Sequence, residues 1–215
     1  TRRIGDGTIV LSVMNGLESE QIIGAAYGMD RMLYTISVGI DAVREGNRIT
    51  YTKPGVLYFG ELSNTELSGK VRRVQEAFAL ADIPCQVPED MRRMLWGKLM
   101  INAGINQASA VLRAPYGVFH ASRDARDLME ALMREVIKLA GVLGINLVEE
   151  DLQKWYGFLM QLSPESPAAR AARCASSSVI VPPGPVPSTA IRSTPSLRAN
   201  IRVLGVASGR PTTGD

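Results

Sequence analysis

The sequence is poor in the residues that most often declare a chemistry. Of 215 residues two are Cys, Cys85 and Cys174, and one is His, His120. They form no CxxC and no Cys/His cluster, which excludes a zinc site of the usual ligand spacing and a disulfide framework, and fits a reducing cytoplasm. No run approaches the roughly 18 apolar residues of a membrane span, and no basic-then-apolar signal opens the chain. Nothing of the form GxGxxG follows a strand, so the loop that receives a dinucleotide pyrophosphate at a helix N-terminus has no counterpart here. The first residue is Thr rather than Met, which suggests that the chain begins inside a longer protein.

What is present is enough for a folded core. Hydrophobic residues make up 46% and charged residues 21% of the chain, which excludes collagen-like and wholly disordered chains. A net charge of +3 invites a search for an acidic partner, but the charge sits at one end. Residues 163–215 carry six Arg, no Lys and two acids (Glu165, Asp215), a net of +4 that leaves residues 1–162 at −1. The body is not basic, and no nucleic-acid partner is expected. The same segment holds eight of the 12 prolines and nine serines, too little apolar surface to order itself. It is either a natural disordered tail or an out-of-frame read-through, and the Arg-only, Ala/Ser/Pro-rich composition fits both.

Patterning divides the rest. The β-branched run Thr8–Met14 followed by Asn15-Gly16 reads as a buried parallel strand ending in a turn, and Ser19–Tyr27 as a short helix. Residues 32–43 and 48–60 read as two strands joined by Arg44-Glu45-Gly46-Asn47, the second broken at Pro54-Gly55. Helical spacing of Val71, Val74, Ala77, Phe78 and Ala81 marks a helix over 69–81, with a short strand over 83–87. From Pro88 the pattern is helical, over 89–112, 122–143 and 149–161, punctuated by Pro115-Tyr116-Gly117 and Gly144-Ile145-Asn146. The expected organisation is mixed α/β over 1–87, all-α over 88–162 and a tail over 163–215.

The most informative stretch is Met91–Ala110. At about 100° per residue, Lys98, Asn102 and Asn106 fall within roughly 80° on one helix face, while Leu95, Leu99 and Ile105 help form the apolar side. Gly97, Asn102, Gly104 and Asn106 each cost roughly 0.5–1 kcal/mol against Ala in a helix interior. Departures from local rules mark candidate functional sites; the plainer reading is a surface Lys with Asn residues that cap or kink the helix. Glu149-Glu150-Asp151 reads as an acidic helix start favourable to the macrodipole. His120 reads as a solvated or hydrogen-bonded loop residue, Arg92-Arg93 as a solvated helix face with phosphate contact as the alternative, and Trp96, Trp155 and Tyr156 as core.

Leu95-Trp96-Gly97-Lys98, with Asn102 and Ile105-Asn106 following, is similar to the helix of the ketopantoate reductase (2-dehydropantoate 2-reductase) family that carries a catalytic lysine and two substrate-binding asparagines at this spacing. Val13-Met14-Asn15-Gly16-Leu17 resembles the family's strand-end Asn-Gly, and Ala42, Gly46, Gly55 and Gly60 match its hairpin pattern. The resemblance spans about residues 8–160. It implies an α/β remnant of a Rossmann-type NADP-binding domain followed by an all-α domain like that of 6-phosphogluconate dehydrogenase. It further implies NADPH-dependent reduction of a 2-oxo acid, ketopantoate to pantoate, in pantothenate biosynthesis, in the cytoplasm and off the membrane. By the same resemblance Lys98 is the general acid, Asn15, Asn102 and Asn106 bind substrate, Asn15, Gly16 and Ala42 lie at the cofactor, and a homodimer is allowed.

The chain departs from the family in three places. Besides the glycine-rich loop, the basic residue that reads the 2′-phosphate is not in its expected context. The serine-bearing helix and the glutamate that follow in the family have no match from 163 onward, and Glu165 does not substitute. Tyr116 stands where family members can carry another substrate-binding asparagine. The alternatives are therefore a truncated, non-catalytic remnant acting at most as an interaction module, or a reductase of another 2-oxo acid.

Overall fold

The protein is described here from a computed structural model, which defines residues 7–40, 43–51, 53–160 and Pro164. The described residues fall into two compact units. One holds the residues up to Met14 together with Glu18–Met91; the other holds Asn15–Leu17 together with the residues from Arg92 onward.

The first unit is α/β. Strand β1 (Val10–Leu11) pairs in parallel with β2 (Met32–Val38), placing Val10 opposite Met32. β2 pairs antiparallel with β5 (Val56–Gly60), and β5 in parallel with β6 (Cys85–Gln86), for a sheet order β1-β2-β5-β6. Strand β1 is shorter than the apolar run Thr8–Met14 suggests. The ladder ends where Ser12 turns its side chain to Ser19, the two hydroxyls 2.8 Å apart. The two long strands expected over 32–43 and 48–60 are instead four. Val38 meets Val56 at the end of the β2–β5 pairing, and a separate hairpin, β3 (Val43–Glu45) and β4 (Arg48–Thr50), lies between them. Its two-residue turn has Gly46 at φ +59°, the left-handed conformation such turns require.

Helix α2 (Gly69–Leu80) starts at Ser68, whose hydroxyl accepts from the Val71 N–H at 3.3 Å, satisfying one of the orphan donors of the first turn. Its buried stripe of Val71, Val74 and Phe78 packs with Leu33 and Phe59 of the sheet. The Phe59 and Phe78 rings meet edge to face, centroids 5.3 Å apart, the arrangement favoured by their quadrupoles.

Helix α1 (Ser19–Tyr27) buries the wrong residues by hydropathy. Ser19, Glu20 and Gly24 face inward while Ile22 and Tyr27 are exposed. Glu20 is 1% exposed and accepts from the Ser19 hydroxyl at 2.8 Å. Burial pushes its carboxyl above the usual value of 4.5, against the opposing pull of the Ser19 hydrogen bond. A carboxyl whose folded pKa is raised binds more protons folded than unfolded. Stability therefore falls as pH rises from the ordinary value through the raised one. Glu20→Gln keeps an acceptor for Ser19 and removes the titration. The melting temperature of the parent relative to Glu20→Gln is expected to decline with rising pH across that window; parallel profiles would mean that Glu20 does not titrate with folding.

The second unit is helical: α3 (Met91–Ile101), a π-helical turn (Asn102–Asn106), α4 (Gln107–Leu112), α5 (Tyr116–Ala121), α6 (Arg123–Val142) and α7 (Glu149–Leu159). Its core gathers Trp96, Met100, Ile105, Phe119, Met129, Met133, Leu152 and Leu159. Leu17 packs against this core rather than that of the first unit. Ser122 caps α6 by accepting from the Ala125 N–H at 3.3 Å, and Asp151 accepts from the Val148 N–H at 3.0 Å at the start of α7.

Three expectations from sequence are corrected in this unit. The helix expected over 89–112 is interrupted by the π turn, within which Gly104 packs against Met133 of α6 more closely than any side chain would allow. His120 lies in α5, not in a loop, and its Nε2 hydrogen-bonds the Leu159 carbonyl at 3.0 Å. Arg93 is not merely solvated: its guanidinium donates to the Asn146 carbonyl and pairs with Asp151, fastening α3 to the start of α7. Arg92 donates to the Leu143 carbonyl at 3.4 Å. Within the acidic cluster Glu149 pairs with Arg134 at 2.8 Å, which holds its carboxyl below the usual range. No helix of the described residues is long and apolar enough to cross a membrane.

Candidate functional site

The α3–π–α4 segment brings the three sequence-selected polar residues onto one part of the helical unit. Lys98 is half-buried, one turn before Asn102. Burial pushes its ammonium down from 10.5 to about 8, because a low-dielectric surround disfavours the charged form. It is thus still protonated at neutral pH, yet close enough to its pKa to release a proton.

Asn102 and Asn106 open and close the π turn, and the Asn106 Nδ2 donates to Asn102 Oδ1 at 3.0 Å. A π turn widens an α-helix over a single turn and is frequent at functional sites. Here it coincides with Gly104, where a Cβ would stand 2.4 Å from Met133 Cγ. Sequence reasoning placed the two amides on one face of a regular α-helix; the structure joins them directly through a locally widened one.

The structure adds Tyr116 to this group. Its hydroxyl donates to Asn106 Oδ1 at 3.1 Å, and burial pushes its phenol above the usual value. From sequence Tyr116 is visible only as an atypical residue after Pro115. The contact spans ten residues and two helices, so no local pattern announces it. Ser109, 1% exposed, steadies α4 by donating to the Ala114 carbonyl at 3.2 Å.

Asn15 and Gly16 lie on the exposed turn that follows β1 and group with the helical unit, where Leu17 anchors them. Gly16 has φ +108°, and a Cβ there would meet nothing within 4 Å. Ala42 falls outside the described residues. Among the described residues no group of three or more His, Cys, Asp or Glu is placed to hold a metal ion.

Taken together, the site is a half-buried ammonium of depressed pKa one turn from two hydrogen-bonded amides on the α3–π–α4 segment, with a phenol from α5 donating to the second amide. Such a constellation can hold oxygen acceptors and transfer a proton to one of them.

Comparison with known proteins gives this geometry a family. The family profile described as "Ketopantoate reductase PanE/ApbA" matches residues 1–64, and its C-terminal counterpart matches residues 90–172. A 2-dehydropantoate 2-reductase of Pyrobaculum aerophilum is 29% identical over 175 residues, covering 80% of this chain and 58% of the relative. One of Halobacterium salinarum is 22% identical over 149 residues, covering 69% and 49%. The chain spans about half the length of these curated relatives.

Among solved structures, a 2-dehydropantoate 2-reductase of Geobacter metallireducens superposes with a TM-score of 0.70 at 22% identity, covering 83% of this chain and 59% of that one. A dimeric ketopantoate reductase of Staphylococcus aureus gives 0.67 at 16%, covering 80% and 56%. These similarities establish the shared fold, an α/β unit followed by a helical one, as the sequence led us to expect. Matched by the family's two profiles on either side of residues 65–89 and sharing its fold, the chain belongs to the ketopantoate reductase family.

Proposed function

We propose that the protein reduces a 2-oxo acid, 2-dehydropantoate in the first instance, with NADPH as hydride donor, and that Lys98 supplies the proton. The observation that carries this reading is the Lys98–Asn102–Asn106 face: an ammonium lowered to about 8 one turn from a hydrogen-bonded amide pair, inside the segment matched by the family's C-terminal profile.

The residues present fit the nicotinamide end of the cofactor. The turn after a parallel strand is where such folds receive ligands, and Gly16 leaves open space beside the exposed Asn15. Asn15 and Gly16 would hold that end of NADPH, which when bound supplies the hydride. The chain's own residues do the rest. The Asn102 and Asn106 amides hold the acid through its oxygen atoms. Lys98 Nζ gives its proton to the 2-oxo oxygen as charge builds there, and the product is the 2-hydroxy acid. General-acid assistance of this kind contributes typically about 10²–10⁴-fold.

A second reading keeps the chemistry and changes the acid. It is favoured by Tyr116, whose phenol occupies a place beside Asn106. The test is NADPH oxidation followed by absorbance in the whole protein carrying this chain. Saturable, 2-dehydropantoate-dependent oxidation is expected. Oxidation that requires a different 2-oxo acid would select the second reading, and the absence of oxidation with any 2-oxo acid would overturn both.

A further inference from the structure

Asparagine is chemically two-faced: its amide offers an acceptor oxygen at one end and two donor protons at the other. A binding surface built from asparagines therefore recognises nothing in particular until something decides which end faces the ligand. In this protein the deciding group is visible. Tyr116 Oη donates to Asn106 Oδ1 at 3.1 Å, and Asn106 Nδ2 donates to Asn102 Oδ1 at 3.0 Å. We propose that Tyr116 is a positioning residue that, through this relay, sets the polarity of both amides so that the surface beside Lys98 offers donors to the substrate. The inference rests on reading that surface as the site of the 2-oxo acid.

The chemistry of the relay runs in one direction. A phenol must donate for Asn106 to present its oxygen to Tyr116, and burial of Tyr116 keeps its proton in place. With its oxygen turned to the Tyr116 hydroxyl, Asn106 directs its N–H groups the opposite way, and one goes to Asn102. That in turn engages the Asn102 oxygen and turns the Asn102 Nδ2 protons away from the relay. The amide groups turned toward a ligand are then the second Nδ2 proton of Asn106 and the Nδ2 protons of Asn102, all of them donors. Such a set matches a carboxylate and an adjoining oxo group, both of which are acceptors, and mismatches a neutral ligand that must itself donate.

The relay can do this because its origin is held. The Tyr116 ring packs against the helical core, beside the fully buried Phe119 of the same short helix. The Gly117 N–H donates to the Pro164 carbonyl at 2.9 Å, and His120 is tied to the Leu159 carbonyl at 3.0 Å. The hydroxyl thus arrives at Asn106 from a fixed scaffold. Removing it leaves the reversed relay, Asn102 donating to Asn106, as an alternative in which an amide oxygen faces the substrate.

The experiment is a double-mutant cycle in the whole protein, with steady-state rates at saturating NADPH and varied 2-dehydropantoate. Tyr116→Phe keeps the ring and its packing and removes the donor. KM is expected to rise about 3- to 10-fold, the scale of one hydrogen bond, with kcat within about 2-fold, the signature of an interaction made equally in the ground and transition states. In an Asn106→Ala background, the Tyr116→Phe change is expected to have no further effect on KM. An unchanged KM in the single variant would overturn the proposal. So would an equal effect in the Asn106→Ala background, because Tyr116 would then act by another route. Lys98→Ala assayed alongside separates the two levels. If it abolishes turnover while Tyr116→Phe is silent, the relay fails and the functional reading stands; if Lys98→Ala is also silent, the functional reading fails with it.

Discussion

Lys98→Ala is expected to lower kcat/KM for 2-dehydropantoate by about 10²–10⁴-fold, the range spanned by loss of a positioned general acid. The expectation follows from what the side chain's surroundings do to it. An exposed lysine near 10.5 holds its proton too firmly to be a good acid at neutral pH. Burial of Lys98 lowers that value to about 8, where donation is easier and the protonated form still prevails at pH 7. Lys98→Arg should not rescue the loss, because guanidinium keeps its charge and does not surrender a proton in proteins. A variant with arginine at near-parental rates would show that position 98 needs only a positive charge.

The same burial sets a stability trend of opposite sense to Glu20's. A lysine with a depressed folded pKa binds fewer protons folded than unfolded between about 8 and 10.5. Its contribution to stability therefore rises with pH across that interval and is least favourable below it. The protein holds a group at its candidate site that would be better solvated outside it, as functional sites often do.

Gly104→Ala is expected to destabilise the helical unit by about 1–3 kcal/mol, the usual cost of inserting a methyl into a filled core. A Cβ at Gly104 would lie 2.4 Å from Met133 Cγ and 2.7 Å from its Cε. Met133 is completely buried, in the interior of α6. The nearer atom is close to the main chain, so rotation of the thioether end cannot relieve the clash, and either the π turn or α6 must move. Because Asn102 and Asn106 bound that turn, KM for the 2-oxo acid is expected to rise as well.

Gly97→Ala, seven residues earlier, provides the contrast. Its Cβ would meet only Leu147 Cδ1 at 3.9 Å, an ordinary contact, and the gain in helix propensity, about 0.5–1 kcal/mol, should appear as unchanged or increased stability. Chemical denaturation of both variants tests the pair. Equal effects at the two positions would mean that α6 does not press on Gly104.

These two glycines show where sequence was legible. Both break helix propensity in the same stretch, and propensity alone assigns them the same meaning. Only the tertiary neighbour distinguishes a glycine required by close packing from one that is not. The same holds for the face carrying Lys98, Asn102 and Asn106. Spacing grouped them, but the π turn that joins the two amides lies where Gly104 meets Met133 of α6, a contact that no local pattern announces. Tyr116 came into view as an unusual residue, whereas its hydrogen bond to Asn106 depends on how α5 folds back after Arg113, which adopts φ +50°.

In the α/β unit, helical periodicity located α2 to within a residue. Hydropathy misleads at α1, where Glu20 is inside and Ile22 outside, because the partners of Glu20 are the Ser19 hydroxyl and backbone groups, which a hydropathy pattern does not see. Strand boundaries were the least legible. Apolar residues continue past Leu11 and past Val38, but ladders end where a side chain or a turn diverts the backbone, and those diversions depend on residues elsewhere.

The role of Lys98 is tested most directly by the pH dependence of kcat/KM for 2-dehydropantoate, which reports ionisations of the free enzyme. With Lys98 as the acid, kcat/KM should be level through neutrality and fall as pH rises through about 8, the value to which burial lowers its ammonium, and that limb should be missing from the residual activity of Lys98→Ala. A profile that stays level to pH 10 in the parent protein, or a limb near 8 that survives in Lys98→Ala, would contradict it.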